Sequence, residues 1–405
     1  MRIRSYTGSP LEFAGAPTGI SISDLSDFHP TSNRTPHYDY LILGGGIFGS
    51  YAALHLAGRG ARVLLLERDA QLFGRASTVN QARLHSGYHY PRSVATARMS
   101  DENKARFTRE HKPFINFRFE KFYAIDRYGS FTDAAQFERF CRYIDIPCER
   151  VERHLHFNYD RLEALYRTVE YTFDPVLVAA HYRERLAASS VEVRLQTEVH
   201  RAGSTGHTWT AALTDGTTIE AGAALNATYA QSNTVNRLFG LRDIDLMHEI
   251  SEMAFVTAPA LGAVGLTVMD GPFGSLMPYG KSGLLSLSSV AYTHHKVSYE
   301  NTPRFDCMDH RADCAPTTLR DCDACPVRPT SSYRKMISQF SQYLGDAVRL
   351  DYFFSRFTVK SKLRANSIDD GRPTEISQLH TAPPFYCVFA GKINSIYEVE
   401  RVLRS

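Results

Sequence analysis

Gly44, Gly46 and Gly49 fall at G-x-G-x-x-G spacing directly behind an apolar β-type run, Tyr38-Asp39-Tyr40-Leu41-Ile42-Leu43. A helical segment, Ser50 to Gly60, follows at once, and a second β run, Arg62-Val63-Leu64-Leu65-Leu66, ends in Glu67. This strand–turn–helix–strand order is the context a dinucleotide fingerprint requires. Gly44 lets the chain turn tightly, Gly46 lets a pyrophosphate approach the backbone, and Gly49 lets the helix pack on the strand. The helix N-terminus, with Ile47 and Phe48, offers N–H groups to phosphates. Glu67 stands where an acid accepts hydrogen bonds from a ribose diol, and Arg68 follows it.

The dinucleotide is expected to be FAD. An NAD domain continues its strands without a break, whereas here the βαβ rhythm lapses after Arg68 and cofactor-like signals return near the far end of the chain. Length and composition agree with an ordinary enzyme. The 405 residues allow one large or two ordinary domains, and a hydrophobic fraction of 43% with 22% charged residues is that of a globular protein. A net charge of +3, with both signs mixed along the chain, argues against a nucleic-acid partner. No apolar stretch approaches the ~18 residues of a membrane span. Met1-Arg2-Ile3-Arg4 lacks the apolar core of a secretory signal, so a cytoplasmic location is the expectation.

Residues 1–36, rich in Ser, Pro, Gly and Thr, read as a surface extension. Residues 74–91 begin small and polar, which suits a loop pressed against a cofactor and places Ala76, Ser77 and Asn80 beside it. Helices are expected over 94–112 and 131–145, with an aromatic strand over 114–125. Asp174-Pro175 opens a helix as N-cap and first-turn proline. Strands follow at 191–195 and at 198–199, which includes Val199. A hairpin turns at Asp215-Gly216, and the strand Ala223–Ala230 carries Ala227 and Thr228. Residues 249–297 alternate as strands, 331–345 look helical, and Tyr386–Ala390 runs into a turn and a last helix. The fold class expected is α/β (α+β): a Rossmann-like FAD-binding domain, from 37–100, 165–240 and 350–405, interleaved with a mixed β-sheet substrate domain, from 101–164 and 241–349.

Within this frame the chain resembles the D-amino-acid-oxidase superfamily of FAD-dependent oxidoreductases over most of residues 38–400. Four pieces in order carry the likeness: the fingerprint with Glu67, the Asp174-Pro175 helix, the strand Leu225-Asn226-Ala227-Thr228, and Asp369-Asp370-Gly371-Arg372-Pro373. The loop Asn80-x4-His85-x-Gly87-x2-Tyr90-Pro91 is most similar to the L-2-hydroxyglutarate dehydrogenase branch. The resemblance implies oxidation of an amino- or hydroxy-bearing carbon in a small-molecule substrate, with electrons passing to O2 or a carrier. Where relatives have a glycine-rich C-terminal flavin loop, this chain has Gly391-Lys392-Ile393-Asn394-Ser395, with a single glycine.

A hydroxyl substrate must lose a proton as its hydride leaves, so a base is sought. His85 is the leading candidate, because the resemblance puts its loop beside the flavin ring and an imidazole suits proton transfer near neutrality. Two other roles stand open for it: a hydrogen bond that holds the loop or flavin, and covalent attachment of the flavin. His89 and Tyr90 are candidates to orient substrate or wall the ring. Arg83 and Arg92 flank the loop and are placed at phosphate or solvent. Lys392, Asn394 and Ser395 lead into a helix N-terminus and form a donor cluster for a reduced flavin. Tyr279, Tyr292 and Arg356 are the candidate substrate residues, with ordinary packing or a solvated charge as the alternative for each. Cys307, Cys314, Cys322 and Cys325 lie within an insert at 299–330. Only its Cys-x-x-Cys half has metal-knuckle spacing. The cysteines are expected to stay outside the chemistry, and the insert to be dispensable for flavin binding.

Overall fold

A computed structural model describes residues 35–94, 97–98, 103–364 and 374–403. The Asp369–Pro373 piece and most of the N-terminal extension lie outside the described residues. In chain order the elements begin with β1 (His37–Leu43), α1 (Ile47–Ala57), β2 (Val63–Leu66), β3 (Arg83–Leu84), α2 (Lys104–Glu110), β4 (Ile115–Asn116), β5 (Glu120–Asp126) and α3 (Ala134–Tyr143). Next come β6 (Cys148–Arg150), β7 (Leu162–Thr168), β8 (Tyr171–Phe173), α4 (Pro175–Ala187), β9 (Glu192–Arg194), β10 (Val199–Ser204), β11 (Trp209–Leu213), β12 (Thr218–Asn226) and α5 (Ser232–Leu238). The remainder is β13 (Leu246–Thr257), β14 (Val264–Met269), β15 (Gly274–Pro278), β16 (Leu285–Ser289), β17 (His294–Ser298), α6 (Tyr333–Ser341), β18 (Asp351–Leu363), β19 (Glu375–Thr381) and β20 (Pro384–Phe389), then a 3-10 helix, Ile393–Arg401.

Among the described residues the first sheet has eight strands in the order β10-β11-β12-β1-β2-β9, with β20 on β12 and β19 on β20. β2 is Val-Leu-Leu-Leu, buried at every position, as a strand covered on both faces must be. β1 runs parallel to β12 on one side and β2 on the other, with Leu43 opposite Asn226 and Leu66. Three parallel strands therefore end at one level. The residues just past them, Gly44, Glu67 and Ala227-Thr228, share one carboxyl edge, where open α/β sheets bind ligands. α4 packs with α1 over the main core, its Asp174 side chain accepting from Val176 and Leu177 N–H as the sequence implies.

The second sheet has nine strands among the described residues, in the order β17-β13-β16-β15-β14-β5-β7-β6 with β18 on β13. It is antiparallel except where β14 meets β5. A small sheet, β3-β8-β4, carries Arg83. Three expectations shift. Residues 351–363, expected with the FAD-binding pieces, pair along β13 instead, and β7 likewise joins the second sheet. The strand expected over 114–125 is broken, because Asn116 Oδ1 accepts from Arg118 N–H and turns the chain. The last helix is a 3-10 helix that begins at Ile393, directly behind Lys392. Contacts do not separate the two sheets: residues 36–405 form one compact unit.

Candidate functional site

A cavity of about 1210 Å³ opens from the carboxyl edge of the first sheet and runs under the second. Pockets for single small molecules hold ~300–1,000 Å³, so this one has room for a large cofactor and a substrate together. Gly44, Gly46, Ile47, Phe48, Glu67, Arg68, Ala76, Ser77, Asn80, Val199, Ala227 and Thr228 all line it. Gly49 does not. It lies beneath the turn, where an added Cβ would stand 2.0 Å from Gly44 O.

The local chemistry fits a dinucleotide. Gly44 has a φ of +102°, and a Cβ there would meet Ala227 O at 2.7 Å. A Cβ on Gly46 would press on Ser77 Oγ at 3.0 Å. The N-cap of α1 is Gly46 itself, which brings no side-chain acceptor of its own. Glu67 takes Gly45 N–H on Oε2 at 2.8 Å and Asp69 N–H on Oε1 at 2.9 Å, which fixes its carboxylate at the cavity wall. Burial pushes the Glu67 carboxyl above the usual range.

At the other end, His85, His89, Tyr90, Gly391, Lys392 and Ile393 line the same cavity. The His85 ring lies 6.0 Å from His89 and 5.9 Å from Tyr90, and Lys392 Nζ stands 4.5 Å above the Tyr90 ring. Residues from the two ends of the chain thus meet here. Asn394 and Ser395 depart from expectation: both are buried behind the turn, and Ser395 Oγ donates back to Lys392 O. The Ser395 side chain braces the turn, and neither residue lines the cavity.

Behind His85 stands a buried polar cluster that sequence patterns do not show. Arg83, placed at phosphate or solvent by its neighbours in sequence, is 5% exposed and bonded to Glu170 Oε2 through NH2 at 2.7 Å and Nε at 3.2 Å. Arg83 NH1 donates to Ser275 Oγ, and Tyr123 OH donates to Glu170. His85 Nδ1 lies 3.6 Å from Glu170 Oε1. Burial first, then Arg83 and Lys392, hold the His85 imidazole down at about 4 against the pull of Glu170, so it is neutral at pH 7. Arg83 and the imidazolium-favouring contact with His85 hold Glu170 well below the usual carboxylate range despite its burial. Arg92 pairs with Asp270 at 2.6 Å on the cavity wall.

The three candidate substrate residues do not line the cavity. Tyr279 is buried edge-on against Phe255 and its hydroxyl donates to Thr78 O. Tyr292 packs on the core of the second sheet, with Lys335 above its ring. Arg356 is drawn to Asp323 of the insert at 2.9 Å and to Thr78 Oγ1. Ser275, Ser288, Thr293 and His294, which do line it, come from the same strand-rich region. The insert is closer to the site than expected. Its residues Thr317–Cys322 form part of the wall, and Leu319 O accepts from Arg68 and Arg75. Cys307, Cys314, Cys322 and Cys325 are unpaired thiols around a second, small cavity, and burial pushes Cys322 up to about 12. Among the described residues no group of three His, Cys, Asp or Glu is arranged to hold a metal ion. No helix among them is long and apolar enough to cross a membrane.

A glycine turn with a carboxylate beside it, on a cavity of this size, is the arrangement of a dinucleotide-binding protein. Residues 39–314 match the FAD dependent oxidoreductase (DAO) family, and the chain belongs to it, with FAD as cofactor. Over 75 residues it is 41% identical to the FAD-dependent monooxygenase FPY4 of Fusarium mangiferae, covering 18% of this chain and 20% of that protein. Over 74 residues it is 38% identical to the FAD-dependent monooxygenase kojA of Aspergillus flavus, covering 18% and 17%. The chain thus spans about a fifth of the length of these curated relatives. The fold is similar to that of glycine oxidase from Geobacillus kaustophilus, with a TM-score of 0.66 at 16% identity over 89% of this chain and 91% of that one. It is equally similar to a Tyr258Phe mutant of NikD, an unusual amino acid oxidase essential for nikkomycin biosynthesis, with a TM-score of 0.66 at 16% identity over 91% and 93%.

Proposed function

We propose that this chain oxidises the amino- or hydroxy-bearing carbon of a small polar substrate, with O2 or an electron carrier as final acceptor. FAD, when bound, supplies the hydride acceptor. The observation that carries the reading is that the His85 imidazole and the Gly44–Phe48 turn line one cavity. His85 takes the proton from the substrate's hydroxyl or amine. His89 and Tyr90 wall the site, and Lys392 holds positive charge beside them. The Asn80–Pro91 loop supports a hydroxy-acid substrate, and the likeness to amino acid oxidases supports an amine. The 1210 Å³ of the cavity favours a second reading, a tailoring oxidase acting on a larger sugar or natural-product intermediate. A flavin-containing binding protein is the non-enzymatic alternative.

Anaerobic stopped-flow mixing with amino acids, 2-hydroxy acids and amino sugars tests all three. One class should bleach the flavin, and His85→Ala should retain FAD while slowing that bleaching roughly 10²–10⁴-fold. A variant reduced at the wild-type rate removes His85 as base. Acid precipitation that leaves the yellow colour in the pellet would instead assign a covalent flavin link. If no substrate bleaches the flavin, the binding-protein reading stands.

A further inference from the structure

We propose that Glu170 is a positioning residue for His85. Its carboxylate keeps the imidazole proton on Nδ1, leaves Nε2 toward the cavity as proton acceptor, and compensates the charge that forms when Nε2 is protonated. This rests on the reading of His85 as base.

Glu170 sits in the short bend between β7 and β8, and its side chain is 0% exposed. Its two oxygens are used unequally. Oε2 takes both donors of the Arg83 fork and the Tyr123 hydroxyl, at 2.7–3.2 Å. Oε1, toward His85, has only the longer contacts of Ser86 N–H at 3.4 Å and Tyr123 OH at 3.3 Å. His85 Nδ1 is buried with no hydrogen-bond partner, 3.6 Å from that oxygen. A buried ring nitrogen facing a carboxylate is stable as the N–H form, because two lone pairs would repel. The remaining gap closes when the ring gains charge and the contact becomes a charge-assisted hydrogen bond.

The other groups facing His85 oppose protonation. Arg83 lies two residues before it on β3, and Lys392 comes from the C-terminal turn. His89 and Tyr90 flank the ring at 6.0 and 5.9 Å. On β5, Lys121 stands 4.3 Å above the Tyr123 ring, and burial and Arg83 hold its amine well below the lysine range. Glu170 is thus the group in this set that favours the imidazolium. The backbone ladder already joins β3 to β8, and Arg83 is held through Oε2, which leaves Oε1 with only its two longer contacts beside Nδ1. In the proposed step the substrate O–H or N–H bond breaks, a new N–H bond forms at Nε2, and the Nδ1 proton stays in place.

Nitrogen-15 NMR of histidine-labelled, FAD-loaded protein at pH 7 tests the assignment, with the His85 signals identified by their loss in His85→Ala. The wild type should show the Nδ1–H tautomer. Glu170→Gln should mix the tautomers and slow flavin reduction at least tenfold. Arg83→Gln should move the His85 titration to higher pH, since one opposing charge is gone and Glu170 remains. Each single variant leaves a buried charge unpaired and is at risk of misfolding. The double variant, Arg83→Gln with Glu170→Gln, removes both charges; it should lose the Nδ1–H preference without the upward titration shift. An Nδ1–H tautomer that persists in the double variant, or a wild type protonated on Nε2, overturns the proposal. A wild-type reduction rate in His85→Ala would instead sink the base assignment, whatever the tautomer.

Discussion

Gly46 sets a limit that a single methyl group crosses. A Cβ there lies 3.0 Å from Ser77 Oγ, which in turn accepts from Ile47 N–H at 3.1 Å. Gly46→Val adds two further methyls at a position that lines the cavity, where the proposed pyrophosphate site lies. The variant should fold and purify colourless, as read by flavin absorbance per chain; normal flavin content would refute the placement. Gly44, Gly46 and Glu67 are legible in sequence because one strand–turn–helix unit fixes them at short separations. Arg83 and Glu170 are not, since the partners are 87 residues apart and meet only when β3 pairs with β8. Arg356 misleads for a similar reason. Its spacing along β18 suits a carboxylate anchor, but its partner, Asp323, arrives from the insert.

At the scale of elements, the insert is where sequence reasoning falls furthest short. Its cysteine spacing draws attention, yet what it contributes to the site is backbone. Leu319 O accepts from Arg68 and Arg75, and Gln231 Nε2 donates to Pro316 O. These bonds hold the 316–322 stretch against the cavity, with the two arginines between it and Glu67. Loops of irregular backbone leave no periodicity, so nothing in their composition announces such a wall. The expectation that the whole insert is dispensable for flavin binding gives way to a divided one. Cys322→Ser with Cys325→Ser should leave the flavin spectrum unchanged, because neither thiol bonds these arginines. Replacing 316–322 by a short glycine linker should weaken FAD binding by about tenfold or more, as two half-buried guanidiniums lose an acceptor. Fluorescence titration of apoprotein with FAD measures both. Equal affinity in the linker variant would restore the simpler view.

For the molecule as a whole, two buried histidines and one half-buried histidine make stability depend on pH. His85, His111 and His248 are each held down at about 4, with burial the largest cause. His111 is stacked on Phe107 and bonded to Tyr182, and His248 is bonded to Ser361, so both are far from the proposed chemistry in role. In the unfolded chain each imidazole titrates near its free value of about 6.5. Between pH 6.5 and 4 the unfolded chain therefore binds up to three protons that the folded chain refuses. Stability falls as pH falls through that window: these three contribute up to about 4 kcal/mol per pH unit at ~1.36 kcal/mol each, and His55, His154 and His181, also lowered by burial, add loss of the same sign. Below it, Glu170 adds loss of the same sign, because its depressed carboxyl resists the proton that the unfolded chain accepts. The urea midpoint of the FAD-loaded protein should drop clearly from pH 7.5 to pH 5.0. His248→Gln should flatten that dependence while leaving flavin content alone, since the change removes one of the contributing protons. A midpoint indifferent to pH over this range would mean that these imidazoles titrate in the folded protein as they do in the unfolded chain, and that His85 is not held down.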